Sequence, residues 1–133
     1  MEHHGLASLA EAGVGDRSYP VATCALDSVA ATNRLPVSFI KIDVEGHELP
    51  VLRGARGLIS EHRPVLMVEI EYRHSPCVRD TFDFLGLLGY RAHLLEGKRL
   101  APTSADLLRS TQATNPRANN VIFLPAADGL KAA

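Results

Sequence analysis

The sequence has no tryptophan, an aromatic share of 5% and two cysteines in 133 residues. Cys24 and Cys77 fall in different expected elements, with no further Cys or His beside either at zinc spacing. A disulfide framework and a zinc knot are therefore both excluded, and the pair reads as free thiols of a reducing compartment, which makes the cytoplasm the expected location. No apolar run approaches the roughly 20 residues that cross a bilayer. The start, Met1-Glu2-His3-His4, carries neither the basic nor the apolar region of a secretory leader, so no export is expected. Charge of one sign is lacking too: 14 Lys and Arg stand against 15 Asp and Glu. Such a balance gives no field to recruit nucleic acid or an anionic membrane surface. There is no internal repeat.

A hydrophobic share of 46% is ordinary for a globular chain, and the length suits one domain. Residues 1–20, rich in Gly, Ala and Ser, read as a loosely held arm. Residues 21–125 carry regular patterning, and 126–133 read as a frayed, disordered tail. Within the patterned part, Val37, Phe39, Ile40, Ile42 and Val44 form a near-continuous apolar series. That is the pattern of a strand covered on both faces in a parallel sheet. Val65–Ile70 repeats it, Tyr90–Leu95 alternates as a less buried strand would, and Val121–Leu124 closes the series.

Between these strands, Val21–Leu26 reads as a short strand, with Asp27 or Ser28 capping a helical turn that ends near Asn33. Leu49, Leu52, Ala55 and Ile59 recur at helical spacing, so one amphipathic helix is expected there, with Gly54 and Gly57 allowing close approach to the sheet. Val78, Phe82, Leu85 and Leu88 mark another helix that Gly89 terminates. Glu96-Gly97-Lys98 is a turn. Residues 102–119 read as a long polar loop broken by one short helix near Ala105–Arg109.

The chemistry gathers at the end of the first buried strand, in Lys41-Ile42-Asp43-Val44-Glu45-Gly46-His47-Glu48. Together with Val51-Leu52-Arg53-Gly54-Ala55 and Arg63-Pro64-Val65-Leu66-Met67-Val68-Glu69, this stretch resembles the signature of the FkbM family of S-adenosylmethionine-dependent methyltransferases. Thr23–Ser28 and Asn120–Pro125 are similar to the family's preceding strand-to-helix step and its closing strand. The resemblance implies an α/β fold: part of a Rossmann-like class I methyltransferase sheet, mostly parallel, with an antiparallel carboxyl-terminal strand and helices on both faces. It implies S-adenosyl-L-methionine as cofactor and O-methylation of a hydroxyl on a small molecule or sugar. The glycine-rich turn that binds the cofactor in the family has no counterpart before Phe39, so the chain resembles the carboxyl-terminal part of the domain.

Carried over by position, Glu45, Asp43 and His47 are the catalytic candidates, and Asp27, Asp43 and Gly46 the candidates for touching the cofactor. Methyl transfer to oxygen needs a group that orients the acceptor hydroxyl and takes its proton, and a carboxylate ionised at neutral pH does both. If the strand runs on through them, Asp43 and Glu45 share a face. The bland alternative is that one of them serves the dipole of the following helix while the other is solvated. His47 fits a general base or an exposed first-turn histidine. Lys41 either pairs with a carboxylate or marks a gap to solvent.

Two rival functions stay open. Glu69 and Glu71 end the neighbouring strand and, with Asp43 and Glu45, would suit the hard-oxygen chemistry of a metal-dependent hydrolase, although no histidine ligand stands at an obvious spacing and no metal is assigned. Alternatively the chain is a non-catalytic, truncated segment or a subunit that completes a partner. The family's sheet order would leave Phe39–Val44 on an unpaired apolar edge, which self-association or a separately encoded amino-terminal half would cover.

Overall fold

The computed structural model describes residues 20–33 and 36–126. The expected arm and tail therefore lie, except for Pro20 and Ala126, outside the described residues. In chain order the elements are α1 (Leu26–Asn33), β1 (Phe39–Ile42), α2 (Glu48–Arg53), α3 (Arg56–His62), β2 (Val65–Glu69), α4 (Val78–Leu87), β3 (Tyr90–Glu96), β4 (Arg99–Pro102), α5 (Ala105–Thr114) and β5 (Asn120–Pro125).

The five strands make one mixed sheet in the order β1-β2-β5-β3-β4. β1 and β2 are parallel neighbours, with Phe39 opposite Val65 and Ile42 opposite Val68. Their crossover is α2 and α3, the helical connection that parallel pairing requires. Every other pairing is antiparallel, so the sheet is not mostly parallel. The cause is the last strand: β5 inserts between β2 and β3, which run in the same direction, and turns both of their inner pairings antiparallel. β4, a strand the sequence pattern did not reveal, adds a further antiparallel pairing through the Glu96–Arg99 hairpin.

Burial is one-sided. Ile42, Leu66, Val68, Leu94, Val121 and Phe123 lie on one face and are 7% exposed or less. Side chains from α2, α3, α4 and α5 join them in a single core cluster. On the other face Phe39 is 53% exposed, and Val65 and Met67 are only partly covered. The expectation that β1 is covered on both faces fails for the described residues: apolar side chains of β1 point both ways, but only one way leads into the core.

Three further expectations change as well. The strand expected at Val21–Leu26 does not form: residues 21–25 are irregular and Leu26 opens α1. The single helix expected after Gly46 is two, α2 and α3, because Asp27 intervenes. The Asp27 backbone N–H donates to the Gly54 carbonyl (2.9 Å), while its carboxylate oxygens accept from Gly57 N and Leu58 N, both at 2.9 Å. Asp27 thus caps α3 rather than its own helix. A side chain at Gly57 would crowd Asp27 at 3.1 Å, so the close approach that glycine permits here is to the start of α1, not to the sheet. Finally, α5 runs ten residues, beyond the short helix expected. Ser104 caps it, and the hydroxyls of Ser110 and Thr111 donate back to carbonyls of the preceding turn, so residues that read as loop decorate a helix.

Candidate active site at the end of β1

β1 stops at Ile42, so Asp43 and Glu45 are not held by strand alternation. A tight turn holds them instead. Glu45 has φ +44° and Gly46 φ +92°, both in the left-handed region. For a glutamate that conformation costs about 1–3 kcal/mol and persists only where surroundings enforce it. The enforcement comes from the loop after β2. A Cβ on Gly46 would fall onto the backbone carbonyl oxygen of His74, so only glycine lets the two segments meet.

Glu48 locks the arrangement. It is 2% exposed, accepting from the Gly46 backbone N–H (2.7 Å) through one oxygen and from the Ser75 hydroxyl (2.7 Å) through the other. A buried carboxylate needs such partners. Neither Asp43 nor Glu45 caps the following helix, whose N-cap position is His47. The capping half of the bland alternative is thus not seen, while its solvated half describes Asp43, which is exposed.

The turn, the end of β2 and the loop beyond it bring four carboxylates together: Asp43, Glu45, Glu69 and Glu71 line one shallow depression with Glu48 and His74. Lys41 pairs with Asp43 (2.9 Å) on the exposed side, so its two readings hold at once. Asn119 bridges the other two acids, its amide donating to Glu69 (2.6 Å) and Glu71 (2.9 Å). Glu71 also holds Arg73 (2.5 Å) and faces His74 (3.5 Å). The two neighbours are consequently pushed apart. The hydrogen bond from Arg73, joined by that from Asn119, holds Glu71 below the usual carboxylate range. Desolvation and the nearby Asp43 charge push Glu69 above it. A pair of acids separated in this way is a recurrent device for dividing acid–base roles.

His47 does not join the group. It precedes α2 half-buried, with Nδ1 enclosed and lacking a hydrogen-bond partner, and it is not among the residues lining the depression. Asp27 is also elsewhere, its carboxylate engaged by α3. Among the described residues no three His, Cys, Asp or Glu side chains converge so as to hold a metal ion. Sequence reasoning missed Ser75 and Asn119, which lie far from the signature in the chain, and gave no role to Glu48. For Glu48 a signal existed, since a carboxylate two residues after a glycine at a helix start is set to reach back to its N–H.

Residues 2–92 match the family model described as the Methyltransferase FkbM domain, a span of more than half the chain. The chain belongs to this family. The matched FkbM region takes in the Glu45–Gly46 turn, the Glu48 clasp and the end of β2, and ends within β3, before the hairpin, α5 and β5. No curated protein and no solved structure matches the chain. Among the described residues no helix is long and apolar enough to cross a membrane.

Proposed function

We propose that this FkbM-family chain works in S-adenosylmethionine-dependent O-methylation of a small-molecule or sugar hydroxyl, with Glu45 as the residue that orients the hydroxyl and accepts its proton. The observation that carries this is the left-handed Glu45 turn, a strained conformation maintained by Gly46, Glu48 and Ser75 at a strand's carboxyl end. Ligands of open α/β sheets bind beyond such ends. S-adenosylmethionine supplies, when bound, an electrophilic methyl on a cationic sulfur. A carboxylate-rich wall suits that cation, and Asp43 and Gly46 are the residues we assign to it.

The fit is to one wall only. The acidic depression encloses about 10 Å³, room for about one water molecule and no more. Asp27 would have to leave α3 to reach an adenine. The assignment is tested with the Glu45→Gln variant, in the chain alone and with a separately encoded amino-terminal half supplied in trans. The rate of methyl transfer falls by about 10²-fold or more with cofactor affinity little changed. An unchanged rate removes Glu45 from catalysis.

A second reading rests on a separate observation. Among the described residues β1 is an edge strand with Phe39 exposed, and such edges are normally paired or blunted. We infer that another strand, from a second copy or from an amino-terminal half, covers it in the working enzyme, in a cytoplasmic setting that suits its free thiols. Light scattering tests the self-association arm: Phe39→Lys shifts an associating chain to monomer, and a chain already monomeric at high concentration rules that arm out.

A further inference from the structure

The acidic depression has almost no volume, but the far side of Glu71 opens into a groove of about 360 Å³, walled by Tyr72, Arg73, Arg109, Gln112 and Pro116. That volume lies in the range of small-molecule sites. Its frame is fixed. Gln112 accepts from the Tyr72 backbone N–H (3.1 Å) and donates to the carbonyls of Ile70 (2.6 Å) and Ala118 (3.1 Å). The Tyr72 hydroxyl donates to the Ala105 carbonyl (2.6 Å), which pins the ring against α5.

Over that ring stands the Arg109 guanidinium, 5.8 Å from the ring centre, within reach of a cation–π contact. Asp106, one turn earlier on the same helix, is taken by Arg79 (2.5 Å). Among the described residues no carboxylate pairs with Arg109. Arg73, the second cation, uses only Nε on Glu71, and its terminal nitrogens make no hydrogen bond to a described residue. The Glu71 carboxylate is itself engaged by Arg73 and Asn119, with His74 3.5 Å away. The groove thus holds two planar donors with unspent hydrogen-bonding capacity beside an aromatic face. A neutral hydroxylated ligand would leave the Arg109 charge unanswered, whereas a phosphate or carboxylate matches its guanidinium fork and the terminal nitrogens of Arg73 that Glu71 does not use.

We propose that this groove binds an anionic group, phosphate or carboxylate, carried by the molecule whose hydroxyl is methylated. Glu71 is the shared wall, so an anion on Arg73 and Arg109 would set the rest of the ligand toward Glu45. The role given to the ligand rests on the methyl-transfer reading, but its binding does not.

The experiment is a titration of the whole ¹⁵N-labelled chain, followed by amide shifts, with glucose 6-phosphate, glucuronate, inorganic phosphate and glucose. Saturable shifts at Tyr72, Arg73 and Gln112 are expected with at least one anion and none with glucose, and the responding arm tells phosphate from carboxylate. Arg109→Gln, an exposed change, weakens binding at least tenfold, while Lys98→Gln in the distant hairpin turn leaves it unaltered. Silence toward all three anions, equal shifts with glucose, or wild-type binding by Arg109→Gln overturns the proposal. Because the readout is binding, a Glu45→Gln variant that keeps its methyl-transfer rate would sink the catalytic assignment and leave this result standing, and the reverse also holds.

Discussion

Ser75 and Glu48 meet across 2.7 Å from two segments that the chain separates by a whole crossover and a strand. The contact joins the turn after β1 to the loop after β2. It is the hydrogen bond through which one strand end fixes the backbone of the other, because the same Glu48 carboxylate also holds the Gly46 N–H.

Replacing Glu48 with alanine takes the acceptor away from two donors, the Gly46 N–H and the Ser75 hydroxyl. We expect a loss of about 1–3 kcal/mol for each group left unsatisfied, read as a lowered urea midpoint. Glu48→Gln retains an acceptor for Gly46, and the Ser75 hydroxyl can turn to accept, so it should lose much less. An alanine variant as stable as the parent would show that the clasp contributes nothing.

Much of the sheet was legible beforehand, because β1, β2, β3 and β5 each bear a compact apolar signal. The parallel pairing of β1 with β2 and the opposite run of β5 were expected too, whereas the mostly parallel sheet that was expected is not found. What the pattern could not carry was adjacency: nothing in Asn120–Pro125 says that it will lie between β2 and β3 rather than outside them. At the site, the four carboxylates were readable as a group, since strand ends gather at one edge. The Glu45 turn was not, because a left-handed glutamate is imposed by His74 and Ser75, thirty residues away. Asp27 misled for the same reason. Its sequence neighbours suggest a local cap, while the helix it caps is α3.

Asp27 gives the next prediction. Asp27→Ala removes both acceptors from the start of α3, which should cost about 1–2 kcal/mol, as the loss of a helix cap does. Hydrogen exchange at the Gly57 and Leu58 amides should accelerate, with Asp27→Asn intermediate. If Asp27 serves the cofactor instead, the alanine variant keeps its melting temperature and loses S-adenosylmethionine affinity.

Glu69 and Glu71 should respond to pH with opposite signs. Glu69 has a raised pKa in the folded state, chiefly from desolvation. The unfolded chain therefore releases this proton first as pH rises through about 4.3, and folding carries a penalty above that range. Glu69→Gln should raise the melting temperature at pH 7 and change nothing near pH 3. Glu71 has a lowered pKa, chiefly through Arg73, so its ionised form stabilises the fold above the unfolded value and that contribution disappears as pH falls through the folded one. Glu71→Gln should lower the melting temperature at pH 7. Thermal melts of both variants between pH 3 and 7 test this, and parallel curves would mean that the two acids are not divided by their surroundings.

Gly46 carries the most direct test of the turn itself. Two penalties fall on Gly46→Ala together: a left-handed φ of +92° outside the comfort of an L side chain, and a Cβ driven onto the His74 carbonyl. The obstacle is backbone, so it cannot swing aside as a side chain would. Relief requires the loop after β2 to retreat, which parts Ser75 from Glu48 and releases Glu45. Gly46→Ala should therefore lose stability by at least the 1–3 kcal/mol of a strained residue and also broaden the amide resonances of Glu71 to Ser75. Gly97→Ala, whose φ is likewise positive (+62°) but whose Cβ would meet open space, isolates the conformational part alone. If the two variants lose the same stability and the loop resonances stay sharp, the contact with His74 does not hold the turn, and the case for a built site at Glu45 falls with it.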